Sequence, residues 1–134
     1  MAKLKHLSIG VGEPKRAAQA LAELTRGKVD EFHPVTGGYV CLWPDWSGEF
    51  IEFYPKQVRL VPTGQGAEFK SVRETFEYYA THINLETALT SDEVKKTAAR
   101  FGYKYHFRPA NGGPLHEVWI ENALLVELVT QDLK

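Results

Sequence analysis

The chain has 134 residues and a formal net charge of −1, with 43 % apolar and 25 % charged residues, the balance of one ordinary globular domain able to bury a core. It has no basic stripe of the kind a nucleic-acid surface needs, and no apolar run approaches the length of a membrane span, so neither partner is expected. A single cysteine, Cys41, excludes an intramolecular disulfide; together with an N-terminus lacking signal-peptide character it predicts a cytoplasmic protein.

In chain order, KLKHLSIGV (3–11) alternates Leu7, Ile9 and Val11 with His6, Ser8 and Gly10, which is strand periodicity. GEPKRAAQALAELTRG follows with Pro14 suited to a first helical turn, Ala17, Ala18, Leu21 and Leu24 at helical spacing, and Gly27 as the expected C-cap. A short strand over 28–33, a turn at Pro34–Gly38, a strand over 39–43, a turn at Pro44–Gly48 and a strand over 49–54 complete a β-α-β-β-β module. In the last strand Ile51 and Phe53 share one face, and Phe50, Glu52 and Tyr54 the other.

A second module runs the same way. THINLE (81–86) places His82 and Asn84 opposite Ile83 and Leu85. Thr90–Glu93 is a capping box opening a helix with Val94, Ala98 and Phe101 on one face, closed by Gly102. Strands over 103–107, 116–121 and 124–130 follow, the last two joined by a tight turn at Glu121-Asn122-Ala123. The sequence thus divides into a first module (1–55), a connector (56–80) and a second module (81–131) within one domain of 1–134. The connector has a loop-like centre at Pro62–Gly66; its length would let it cross between modules or reach a partner subunit.

The modules are copies. Gly27, Phe32, Pro34, Gly37 and Gly38 recur 75 residues later as Gly102, Phe107, Pro109, Gly112 and Gly113. His6 matches His82 and Trp43 matches Trp119 at an offset of 76, and Glu52 matches Glu127 at 75. Such duplication predicts an α+β fold of two βαβββ modules. Each helix must cover one face of its sheet, so the opposite faces line a concave surface, an eight-stranded cup. Alternation puts His6, Glu52, His82 and Glu127 on that surface, with Ser8, Phe50, Tyr54, Asn84 and Trp119, and by the same reading Tyr39, Cys41 and Trp43. A carboxylate inside an apolar strand, as in FIEFY or LLVELV, is costly unless paired, hydrogen-bonded or metal-bound. Taken singly, such a strand His or Glu is ordinarily a satisfied or solvent-facing residue. At equivalent places in a duplicated module, two imidazoles and two carboxylates suit one divalent ion: Ni, Zn, Fe, Mn or Co. Cys41 reads as a small buried hydrophobe, and His33, His106 and His116 as surface residues near turns.

HLSIGV, GEFIEFY, THINLE and NALLVELVT, in this order and spacing, resemble the vicinal oxygen chelate superfamily, which includes glyoxalase I, extradiol dioxygenases and the fosfomycin and bleomycin resistance proteins. The resemblance implies a cup around a metal held from the first and last strand of each module, here His6, Glu52, His82 and Glu127. The four-ligand pattern is most similar to glyoxalase I, which implies a lyase or isomerase acting on a small carbonyl substrate through an enediolate-like intermediate. Glu52 or Glu127 would then move a proton, Trp43, Tyr54, Asn84 and Trp119 would contact substrate, and Lys56 or Arg108 would attract an anionic group. The residues glyoxalase I uses for glutathione are replaced: Gly10 stands where an Arg is common, Lys56 where an Asn is common, and Leu21 and Ala22 near a usual aromatic pair. The other readings are an extradiol-type dioxygenase, and a non-catalytic protein that binds an aromatic drug or metabolite. The resemblance also implies a homodimer, with sites sometimes built from two chains.

Overall fold

The computed structural model describes residues 4–45, 48–73, 77–79, 81–109 and 113–134. Part of the turn expected at Pro44–Gly48 and most of the second Pro/Gly turn, including Gly112, lie outside the described residues. The first module comprises β1 (His6–Val11), α1 (Pro14–Thr25), β2 (Lys28–Phe32), β3 (Gly38–Leu42) and β4 (Phe50–Pro55). After a hairpin, β5 (Val58–Thr63) and β6 (Gly66–Ser71), the second module comprises β7 (Ile83–Glu86), α2 (Ser91–Phe101), β8 (Lys104–Arg108), β9 (Leu115–Ile120) and β10 (Leu124–Val129). Each module forms its own four-stranded sheet, ordered β1-β4-β3-β2 and β7-β10-β9-β8. In both, the first strand pairs with the last in parallel and the other pairings are antiparallel.

The helices explain which faces are dry. Ala17, Ala18, Leu21 and Leu24 of α1 are fully buried, and they meet Ile9, Ile51 and Phe53 in a core cluster that also takes in Val94 and Ala98 of α2 with Val118, Val126 and Leu128. The two helices pack on one another, so one core runs through both modules. At α2, Thr90 and Glu93 form the expected capping box and Gly102 ends the helix in the left-handed region at φ 72°.

At α1, Pro14 opens the first turn as expected, but the C-cap differs. Glu13, the N-cap, makes no side-chain cap bond; instead Glu121, in the β9–β10 turn, accepts from the amides of Gly12 (2.8 Å) and Glu13 (2.5 Å). The left-handed C-cap is Arg26 (φ 56°), not Gly27. Gly27 has a steric reason instead: a Cβ there would lie 2.9 Å from Cys41 Sγ and 3.0 Å from the Trp43 indole nitrogen.

Register corrects one expected face. Tyr39 pairs with Phe53 and Cys41 with Ile51, and antiparallel partners share a face, so Tyr39 and Cys41 point toward α1 rather than into the concave surface. Trp43 follows them: it is buried, and its indole N–H donates to Thr25 Oγ1 of α1 at 2.7 Å. The alternation of YVCLW alone carries no sign; its pairing with β4 supplies it. Cys41 is a buried thiol pushed up to about 12 by desolvation, which agrees with a packing role.

The connector is also more ordered than its loop-like centre suggests. It folds as the β5–β6 hairpin, Leu60 opposite Phe69, with the turn at Gly64-Gln65. Phe69 meets Tyr54 edge-on, ring centroids 5.5 Å apart, which lays the hairpin beside the first sheet's concave side.

Candidate metal centre

Each module offers one histidine and one glutamate in the same relation. In β1, His6 lies on the face carrying Ser8, and Ser8 is the Cα partner of Glu52. Asn84 of β7 is the partner of Glu127, and His82 precedes Asn84 by two residues. Each His/Glu pair therefore spans two adjacent parallel strands on one face, two residues apart along them. Both histidines are exposed; both glutamates are buried, 4 % and 8 % accessible. His6 stacks on Phe50 with centroids 5.0 Å apart.

The glutamates are held differently. Ser8 Oγ and Tyr54 OH (2.5 Å) both donate to Glu52 Oε2, and among the described residues Oε1 accepts no hydrogen bond. Burial, then the bond to Glu52, pushes the Tyr54 hydroxyl up to about 12, so it stays a donor at neutral pH. Tyr54 is fixed in turn by Phe32, stacked at 5.7 Å, and by Phe69. Glu127 is engaged at both oxygens: Asn84 Nδ2 donates to Oε2 at 3.0 Å, and Arg108 Nη2 lies 3.1 Å from Oε1. Arg108 also reaches Glu117, the cross-strand partner of Glu127, at 3.6 Å, and its buried Nε has no partner among the described residues.

The donor chemistry fits a borderline divalent ion: two imidazoles, two carboxylates, and enough negative charge to neutralise it. The arrangement fits it in halves. His6 and His82 line one pocket of about 270 Å³, with Trp43, Phe50 and Asn84. Glu52 and Glu127 are not among its lining residues, and among the described residues no three His, Cys, Asp or Glu side chains converge. The four residues occupy equivalent places but do not meet within one chain.

Of the other expected contacts, Tyr54 and Asn84 support the glutamates directly. Trp119 is half-buried on the strand face that carries Glu117 and Glu127. Lys56 lies over the Tyr79 ring at 5.3 Å, a contact between the two ends of the connector. The Trp43/Trp119 match of the repeat is one residue out of register. Glu52 pairs with Val40 and Glu127 with Glu117, so the structural counterpart of Trp43 is Ile120. His116 is corrected from surface to interior: 2 % exposed, bonded through Nδ1 to Tyr105 OH and through Nε2 to Ser91 Oγ, each at 2.8 Å. Its partner Leu128 faces α2, so the side chain had to turn inward.

The Arg108 clamp was the residue relation sequence reasoning missed. Its signal is the alternation of Lys104, His106 and Arg108 along one face of a strand, beside a strand carrying Glu117.

No family model matches the sequence, and no curated protein does. Solved structures match it along nearly its whole length. The fold they define is the glyoxalase-like, vicinal oxygen chelate α+β fold, as the resemblance implied. A fosfomycin resistance protein, FosX from Mesorhizobium loti, is 13 % identical at TM-score 0.63, covering 97 % of this chain and 92 % of that one. A mutant FosX from Listeria monocytogenes, solved with Mn(II) and 1S,2S-dihydroxypropylphosphonic acid, is 15 % identical at TM-score 0.62, covering 96 % and 89 %. A candidate glyoxalase family protein from Bacillus anthracis is 13 % identical at TM-score 0.59, covering 97 % and 95 %. Likeness at this level carries the fold, and substrates do not travel with folds.

Proposed function

We propose that this chain is a metal-dependent lyase or isomerase of the glyoxalase type, acting on a small carbonyl substrate without glutathione. The observation that carries the reading is the pair of equivalent His/Glu half-sites, His6 with Glu52 and His82 with Glu127, on matching strands of a duplicated module. The Mn(II)-bound FosX structure of the same fold supports a divalent ion here. Because the halves do not meet within one chain, a complete four-donor centre calls for modules from two copies, which makes a homodimer part of the proposal.

A bound divalent ion would supply Lewis-acid stabilisation of developing oxyanion charge on the substrate. Glu52 is the better-prepared proton carrier. One oxygen is anchored by Ser8 and Tyr54, and the other, with no hydrogen-bond donor on it among the described residues, would accept a proton next to the substrate carbonyl. Phe32, Tyr54 and Phe69 form an aromatic wall beside it.

Glu52→Gln tests this. In a screen of metal-loaded protein against small 2-oxoaldehydes, ketols and epoxides, turnover of any substrate found should fall at least about a hundredfold. Undiminished turnover overturns the assignment. Oxygen uptake with catechols would point instead to an extradiol-type dioxygenase. The aromatic wall favours one other reading, a protein that sequesters an aromatic compound. Tight metal-independent binding with the ligand returned unchanged would establish it.

A further inference from the structure

We propose that Arg108 is a built-in competitor for the metal: its guanidinium and a divalent cation contend for the same oxygen of Glu127. The inference rests on the metal reading above and goes beyond it by naming the residue that sets affinity.

The geometry is specific to the second module. Arg108 Nη2 lies 3.1 Å from Glu127 Oε1, while the Asn84 amide occupies Oε2 at 3.0 Å, so both oxygens are taken. Each oxygen keeps a second lone pair, so a cation binding Glu127 either shares an oxygen with one of these partners or displaces it. The amide is neutral; the guanidinium carries a full charge that also repels an approaching dication. Arg108 has somewhere to go, because Glu117 is already 3.6 Å from its Nη1. Among the described residues the first module has no such guanidinium: by strand pairing, one residue out of the sequence repeat, the position matching Arg108 is Phe32, and Glu52 is held by two hydroxyls on one oxygen. The two half-sites therefore differ in readiness. The first is open to a cation, and the second exchanges an internal cation for an external one. Arg108 is a positioning residue in this scheme, acting through Glu127 and Glu117.

The test is a calorimetric titration of metal-stripped, full-length protein with Mn(II) and Zn(II), comparing wild type, Arg108→Met and Glu117→Gln, each checked for native circular dichroism. Removing the guanidinium should tighten binding by about tenfold or more, since it takes one positive charge from within a few ångströms of the ion. Glu117→Gln should weaken binding several-fold, because Arg108 then has Glu127 as its one carboxylate of the two. The opposite signs separate competition from a structural role, which would move both variants the same way. Equal or weaker binding by Arg108→Met, or unchanged or tighter binding by Glu117→Gln, with the wild type binding, overturns the competition alone. If no protein takes up either metal, the metal reading falls and the competition falls with it. Should Arg108→Met fail to fold, the Glu117→Gln titration decides.

Discussion

In the first module the strand carboxylate, Glu52, takes two hydroxyl donors on one oxygen, and among the described residues no donor on the other. In the second, Glu127 is clamped at both oxygens by an amide and a guanidinium. Backbone position, strand partner and burial are closely alike; the neighbours are not. Duplication copied the scaffold, while Tyr54 and Phe32 on one side and Arg108 and Glu117 on the other gave the copies different chemistry. Equivalent positions thus need not be equivalent groups, even when each carries the same residue.

The comparison can be broken most directly at the carboxylates. Glu127→Ala would leave Arg108 and Asn84 without their shared partner. Breaking a buried pair this way costs 3–5 kcal/mol in general, but Arg108 is 30 % exposed and water will screen part of it, so about 2–3 kcal/mol is expected in urea unfolding. Glu52→Ala, which orphans only two hydroxyls, should cost about 1–2 kcal/mol. A larger loss at Glu52 than at Glu127 would reverse the contrast.

Glu121 joins the modules by taking the amides that α1's own N-cap leaves unbonded. Glu121→Ala should cost about 1–2 kcal/mol. A silent substitution, by thermal melt, would mean that core packing and the other contacts between modules, such as Thr87 Oγ1 to the Leu24 carbonyl and Arg100 to Glu23, carry the join.

His116 sharpens the contrast through pH. Its position in the first module is taken by Tyr39, as the pairings His116–Leu128 and Tyr39–Phe53 show. Burial holds the His116 imidazole below its ordinary value of 6.5, against a weaker pull upward from Asp132. The folded state thus binds the proton less readily than the unfolded chain. Its contribution is fully present above about pH 6.5 and declines as pH falls below that value. His116→Gln should flatten that segment of the stability profile; an unchanged slope would assign it to other groups. The smallest effect expected is Tyr54→Phe, about 1 kcal/mol or less, because Ser8 keeps the same oxygen bonded.

The repeat and strand alternation made the scaffold legible: both modules, the capping box at Thr90–Glu93, and the faces of His6, Glu52, His82, Asn84 and Glu127 follow from period and spacing. What stayed hidden depends on pairing between strands. The alternation of YVCLW does not say which set faces the helix until Cys41 is registered against Ile51, and Trp43 goes with it. Likewise, His116 is an ordinary strand histidine until Leu128 opposite fixes its direction. The hairpin over Val58–Ser71 was obscured by Pro62 and two nearby glycines, Gly64 and Gly66, which signal a loop more strongly than Leu60 and Phe69 signal strands. The Arg108 clamp is a relation among three strands, and no single stretch of sequence displays it.

The central claim is that the two half-sites together hold one divalent ion. Elemental analysis of protein purified without chelator, beside a His82→Ala/Glu127→Ala variant, tests it most directly. The account predicts about one Ni, Zn, Fe, Mn or Co per two-His, two-Glu set in the wild type and none in the variant. A wild type that carries no metal and takes up none of these ions when they are supplied would contradict it.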